Sequence, residues 1–198
     1  DPCLDLAFTR LAPPAGTPSV FMAPATAASC NFGGALVTLA DLTETDVLLA
    51  TGSIVPRAAG VERDELVLDS GVYQVDDTEA LQRVIGPTSD INPWTAAAVV
   101  DLNGDGQLDV VAGRKAQDDV DIVRGGAVPN VYRADTTTAV TAVSAGDFDG
   151  DRVGDVALIE TNINANPRIS ILYGARDGVV GAPVVTSKFE GTLLLARL

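Results

Sequence analysis

The stretch Asp101-Leu102-Asn103-Gly104-Asp105-Gly106-Gln107-Leu108-Asp109 carries acidic or amide side chains at its positions 1, 3, 5 and 9, with glycine at positions 4 and 6. A hard cation such as calcium takes about six to eight oxygen ligands around one point. A chain that turns tightly on glycine can aim alternate side chains at that point. The apolar run Ala96-Ala97-Ala98-Val99-Val100 leads in, and Val110-Val111-Ala112 leads out. Short apolar runs bounded by turn residues predict buried strands, so the stretch reads as a loop between two strands.

The pattern recurs at Asp147-Phe148-Asp149-Gly150-Asp151-Arg152-Val153-Gly154-Asp155, again with carboxylates at 1, 3, 5 and 9. Val143-Ser144-Ala145 precedes it and Val156-Ala157-Leu158-Ile159 follows. A single such loop could be a run of Asx-turns, which Asp and Asn form readily. Two copies in one strand–loop–strand frame point to two calcium sites. A helical EF-hand is excluded, because that loop needs a carboxylate at position 12 and helices on both sides. Position 12 here is Ala112 in one copy and Leu158 in the other, and the flanks carry no helix-capping residues.

The rest of the 198-residue composition sets bounds on function. Hydrophobic residues make up 46% and mean hydropathy is positive, which describes a packed domain. No apolar run reaches the roughly 18 residues needed to span a membrane. Net charge is −14, and seven of the 27 acids sit in the two loops. Such a surface repels nucleic-acid phosphate and anionic lipid, so neither is an expected partner. There is no histidine, which removes His-based triads and His metal sites. The chain starts with Asp1, as a processed form or a fragment would. Cys3 and Cys30 lie in an N-terminal lead-in covering 1–31. They are either two free thiols or a disulfide pinning that segment. Calcium loops suited to an extracellular medium favour the disulfide and an oxidising compartment.

Strand signals recur along the chain. Leu4-Asp5-Leu6-Ala7-Phe8 and Ser19-Val20-Phe21-Met22 are candidate strands within the lead-in. A first unit, 32–93, has apolar runs on both sides of Asp41-Leu42-Thr43-Glu44-Thr45-Asp46. Thr43 and Thr45 replace strong ligands there, and the loop is three residues short, so the unit reads as one that lost its metal site. Two further strands, 65–69 and 71–75, follow it. The second unit spans 94–138 and the third 139–190, each with four short strands, and 191–198 opens a partial fourth. The anchors Asp41, Asp101 and Asp147 are 60 and 46 residues apart. Four strands per repeat of this size predict an all-β protein of β-propeller blades, each of four antiparallel strands. Three blades and a partial one do not close a ring, which predicts part of a larger propeller, copies that assemble through open blade edges, or a last strand that completes another blade.

On these residues the chain resembles the FG-GAP/VCBS repeat family, calcium-loop propellers that include integrin α-subunit heads and many bacterial surface proteins. The motif 101–111 looks like the family's core motif, and Asp177-Gly178-Val179-Val180-Gly181-Ala182-Pro183-Val184 is similar to the end of a VCBS-type repeat. The resemblance covers roughly 32–198. It implies side-chain ligation by Asp101, Asn103, Asp105 and Asp109 in one site, and by Asp147, Asp149, Asp151 and Asp155 in the other. Gln107 and Val153 would give backbone carbonyls. Arg152 departs from the pattern, since glycine is usual at position 6, where a left-handed turn is expected.

The resemblance further implies a bacterial secreted or cell-surface protein, extracellular or periplasmic. Its expected role is a calcium-stabilised module for adhesion, surface assembly or protein–protein contact, with a protein or cell-surface partner. Some propellers of this type carry catalysis, and here the lack of histidine and the assignment of the clustered acids to calcium argue against an enzyme. One alternative is the non-catalytic part of a secreted propeller enzyme. Another is a lectin-like propeller. A lectin would need aromatic platforms, and the only tryptophan, Trp94, reads as core. Asp118, Asp119 and Asp121 form a further acidic group that an enzyme could use, and they read as a solvated strand edge.

Overall fold

A computed structural model describes residues 6–9, 20–23, 37–38, 47–56, 64–75, 81–87, 93–114, 117–136, 138–162, 165–178 and 181–188. Cys3, Cys30, the 41–46 loop and the 191–198 segment lie outside them. Four antiparallel sheets follow one another along the chain. The first has three strands, β1 (Leu6–Thr9), β2 (Val20–Ala23) and β3 (Val37–Thr38). The second comprises β4 (Leu48–Gly52), β5 (Glu65–Leu68), β6 (Gly71–Val75) and β7 (Leu81–Ile85). The third comprises β8 (Trp94–Val100), β9 (Asp109–Arg114), β10 (Asp119–Arg124) and β11 (Asn130–Asp135). The fourth comprises β12 (Ala139–Gly146), β13 (Asp155–Asn162), β14 (Ala165–Leu172) and β15 (Val184–Lys188). The strands of each sheet pair in chain order, and among the described residues no sheet closes on itself. The protein is all-β, and no helix among the described residues is long and apolar enough to cross a membrane.

The sheets stack face to face. Side chains alternate along a strand, so a sheet covered on both faces reads as a continuous apolar run. β9 is the clearest case, with all six residues buried. Val110 and Ala112 join Val123 and Trp94 in a cluster with Ile54, Val67 and Val72 of the second sheet. Val111, on the opposite face, joins Val120 and Ile122 in a cluster with Val140, Val156, Leu158 and Leu172 of the fourth. Leu66, Leu68 and Val75 form a smaller cluster on the other face of the second sheet. The opening strands make the closest inter-sheet contacts, β4 against β8 and β8 against β12.

Away from the acidic loops, each interface carries a buried polar knot. Arg114 lies on the face of β9 that holds Val110 and Ala112. Its guanidinium donates to Asp119 through Nε at 2.9 Å and Nη2 at 2.6 and 2.5 Å. Asp121, fully buried, accepts Trp94 Nε1–H at 2.8 Å and lies 3.6 Å from Arg114 Nε. In the fourth sheet the polarity is reversed. Glu160 of β13 stands where Arg114 stands in β9 and accepts Arg168 Nη2–H at 3.0 Å, together with the Ser170 hydroxyl.

Two sequence expectations change here. Asp119 and Asp121 are not a solvated edge, because β10 is an interior strand whose outer neighbour is β11 and whose face is covered by the second sheet. The first unit is also framed differently. β3 pairs with β2, through Phe21↔Thr38 and Met22↔Val37, so the lead-in and the start of the 32–93 unit share a sheet. The second sheet instead recruits Leu81–Ile85 as its fourth strand. The two-residue β3 takes its backbone partners from β2, and β4 takes its own from β5. The strands flanking the 41–46 loop therefore belong to different sheets.

Removing one partner of a buried ion pair leaves the other uncompensated, which costs about 3–5 kcal/mol. Arg114→Ala is therefore expected to lower unfolding free energy by about that amount. Urea denaturation in chelator reads the change without any contribution from a metal.

Candidate metal centre

The two acidic loops, 101–108 and 147–154, connect the first and second strands of the third and fourth sheets. Their backbone N–H groups have no strand partners, and buried or bent backbone must find them elsewhere. The carboxylates supply them in the same order in both loops. Asp101 Oδ1 accepts Gly104 N–H at 2.7 Å, and Asp147 Oδ1 accepts Gly150 N–H at 2.7 Å. Asp101 Oδ2 accepts Gly106 N–H at 2.9 Å, and Asp147 Oδ2 accepts Arg152 N–H at 3.0 Å. Asn103 Oδ1 takes Asp105 N–H at 2.9 Å, as Asp149 Oδ1 takes Asp151 N–H at 3.1 Å. Asp105 Oδ1 takes Gln107 N–H and Asp151 Oδ1 takes Val153 N–H, both at 2.7 Å.

Positions 4 and 6 have positive φ in both loops: 69° and 85° at Gly104 and Gly106, 86° and 68° at Gly150 and Arg152. Arg152 thus adopts the turn that glycine adopts in the first loop. A left-handed residue with a Cβ costs roughly 1–2 kcal/mol. The seven-residue spacing between Phe148 and Asp155 and the Asp147 carboxylate hold it there.

Asp147, Asp149 and Asp151 are exposed, and one oxygen from each lies within 4.8 Å of the others. Three like charges at that spacing repel by about 1 kcal/mol per pair even at the dielectric of water. A bound divalent cation would reverse this. The donor set is hard oxygen throughout, which suits calcium or magnesium and not soft-ligand metals. In the first loop Asn103 replaces the middle carboxylate and its Nδ2–H donates to Asp105 Oδ2 at 2.8 Å. Gln107 and Val153 are placed at the turn out of each loop by their N–H bonds to position 5.

The position-9 acids sit apart from these groups. Asp109, 1% exposed, accepts Leu102 N–H at 3.0 Å through Oδ2 and Gly125 N–H at 2.9 Å through Oδ1. Asp155 does the same with Phe148 N–H at 2.7 Å and Gly174 N–H at 2.9 Å. Burial pushes the Asp109 carboxyl up, while the two backbone donors and Arg124 pull against it. These acids latch the loop to the turn that leads out of the third strand.

The second sheet has the loop side of this latch without the acidic loop. Glu65 opens β5 as Asp109 opens β9, and its Oε2 accepts Ile54 N–H at 2.7 Å and Val55 N–H at 3.1 Å. The Ile54 carbonyl accepts Gly126 N–H at 2.9 Å, as the Leu102 carbonyl accepts Ala175 N–H at 2.8 Å. The counterpart of the acidic loops therefore begins at Ser53, with Ser53 and Val55 standing for Asp101 and Asn103. The signal was present in the sequence: Glu65 followed by Leu66-Val67-Leu68 repeats Asp109 followed by Val110-Val111-Ala112. Its lead-in lacks the alternating carboxylates at positions 1, 3 and 5, which made it unreadable as an acidic-loop relative. Gly125 belongs to this junction, since a Cβ there would overlap the Leu108 and Ile54 carbonyl oxygens. Trp94, 1% exposed, is core and offers no aromatic platform.

No family model matches the chain, and no curated protein does. Among solved structures it is similar to the V. cholerae biofilm matrix protein Bap1, at 18% identity and a TM-score of 0.46. That likeness covers 74% of this chain and 22% of Bap1, so the chain spans under a quarter of that protein's length.

Two outcomes test the loop and latch assignments. Arg152→Gly is expected to raise stability in chelator by about 1 kcal/mol, by relieving the left-handed side chain, read from thermal unfolding. Glu65→Ala is expected to lower stability by about 1–3 kcal/mol, because it leaves buried N–H groups without an acceptor. That loss should be the same in calcium and in chelator.

Proposed function

We propose that the chain is a calcium-stabilised, non-catalytic β-propeller module of the FG-GAP/VCBS kind, secreted or at the cell surface. In this reading it serves adhesion, surface assembly or protein–protein contact. The carrying observation is the duplicated loop. Two strand-linked loops in separate sheets repeat one hydrogen-bond pattern around alternating carboxylates, and the second gathers Asp147, Asp149 and Asp151 within 4.8 Å. Asp101, Asn103 and Asp105 would hold one calcium ion, and Asp147, Asp149 and Asp151 the other. The carbonyls of Gln107 and Val153 are available to add to each shell, whereas Asp109 and Asp155 would have to turn from the N–H groups they hold to join it. Calcium supplies charge neutralisation at a fixed point, and the chain supplies the turn that presents the oxygens.

The propeller reading is supported by consecutive four-stranded meanders that stack face to face with their opening strands adjacent, as blades around an axis do. A non-catalytic role is supported by the engagement of the remaining buried acids in structural bonds: Asp119, Asp121 and Glu160 with arginines, Glu65 with backbone. A carbohydrate-binding reading loses its tryptophan platform, since Trp94 is packed between sheets. The open sheet edges offer a second copy or another protein a place to pair.

Calorimetric titration of metal-stripped protein tests the calcium assignment. Two sites are expected. If affinity lies in the extracellular-module range, millimolar calcium should add about 1 kcal/mol per site, visible as a higher melting temperature. The absence of any heat or any melting shift in the unsubstituted protein would sink the metal assignment.

A further inference from the structure

We propose that the two acidic loops form one coupled unit, so that cation binding at either raises the affinity of the other. This rests on the calcium reading above and adds a physical route between the sites. The route is backbone to backbone. Asp101 organises the first loop through its carboxylate, and its own carbonyl oxygen accepts the N–H of Gly154 at 2.9 Å. Gly154 sits in the second loop between Val153, bound to Asp151, and Asp155. The Leu102 carbonyl accepts Ala175 N–H at 2.8 Å, and the adjacent Gly174 N–H is held by Asp155 Oδ1 at 2.9 Å. A side chain completes the contact. Arg176 donates through Nη2 to the Asp151 carbonyl at 3.4 Å, and its Nη1 would lie 3.4 Å from a Cβ placed on Gly104. Arg176 thus bonds the second loop and lies beside Gly104 of the first.

Each connection ends on a candidate ligand or its immediate neighbour. The junction is also close-packed. A Cβ on Gly154 would overlap the Val100 side chain and lie 2.9 Å from the Asp101 carbonyl oxygen. The first loop cannot shift its first residue, nor the second loop its eighth, without moving the other. In each loop, bare carboxylates repel and a cation draws them together. Drawing in the first loop fixes Asp101, which fixes Gly154 and, through it, the second loop's exit. The junction between the second and third sheets has the same Gly126-to-Ile54 bond. It ends on a loop with Ser53 and Val55 at the ligand positions, so the coupling is confined to the two acidic loops.

Calcium titration of metal-stripped unsubstituted protein, Asp105→Asn and Asp151→Asn tests this. Asp105→Asn is expected to abolish binding at the first loop and to weaken the second loop by about fivefold or more. Linkage requires the reciprocal, so Asp151→Asn should weaken the first loop by the same factor. Hydrogen exchange gives a readout that does not depend on fitting two heats. In Asp151→Asn, calcium at the first loop should slow exchange of the Gly154 amide by about fivefold. Arg176→Ala lies outside both loops, leaves their carboxylates intact, and should reduce the coupling. A remaining site whose affinity stays within twofold of its value in the unsubstituted protein in both variants, with Gly154 exchange unmoved, would overturn the coupling and leave the calcium reading standing. A complete absence of binding in the unsubstituted protein would remove both.

Discussion

The structure depends on a carboxylate at the start of the second strand of each four-stranded sheet. A loop that leaves one strand and re-enters the next has N–H groups that no ladder can satisfy, and three sheets meet this demand alike. Glu65, Asp109 and Asp155 each turn back on the loop and accept the N–H of its second residue. That residue's carbonyl, at Ile54 and Leu102, then takes an N–H from the next sheet's turn at Gly126 or Ala175. The latch therefore sets the loop, and the loop spaces the neighbouring sheet. Glycine at 125 and 174 follows from that close approach.

Between these latches, burial follows from two-residue alternation. Val110 and Val111 are adjacent in sequence, yet they serve different interfaces because the third sheet is covered on both sides. The polar knots at the other end have a different role from the apolar contacts. A buried ion pair adds little net stability over apolar packing, but an arginine facing the wrong register would be left unpaired. Reversed polarity, Arg114 with Asp119 against Glu160 with Arg168, makes each interface distinct from the next. We read this as a device that helps keep similar sheets in their order.

The acidic loops add electrostatic tension to this frame. Their carboxylates satisfy backbone donors on one side and crowd one another on the other. Arg152 shows how firmly the frame holds: the second loop keeps the first loop's turn although a side chain stands where glycine would relax it. Arg176 and the Gly154 contact then place the two loops against each other, so that neither is an independent surface feature.

The strands were legible from local pattern. Apolar runs bounded by Asp, Gly and Pro gave β5, β6 and the third and fourth sheets to within a few residues. The loops at 101 and 147 were legible from spacing alone, because alternate carboxylates and positive-φ glycines are local properties of a chain. Pairing was not legible. That β3 joins β2, that Leu81–Ile85 completes the second sheet, and that the segment opening at Ser53 is the counterpart of the acidic loops all depend on which distant group accepts each N–H. The burial of Asp119 and Asp121 was hidden for the same reason, since alternation gives a side chain's face and not what covers it. The sequence by itself determined the all-β class, the repeated strands and the clustering of hard oxygen ligands, through local geometry and charge. Only the tertiary structure decided which strands share a sheet, which carboxylates are latches, and that the two acidic loops touch, because hydrogen-bond satisfaction is met between segments far apart in the chain.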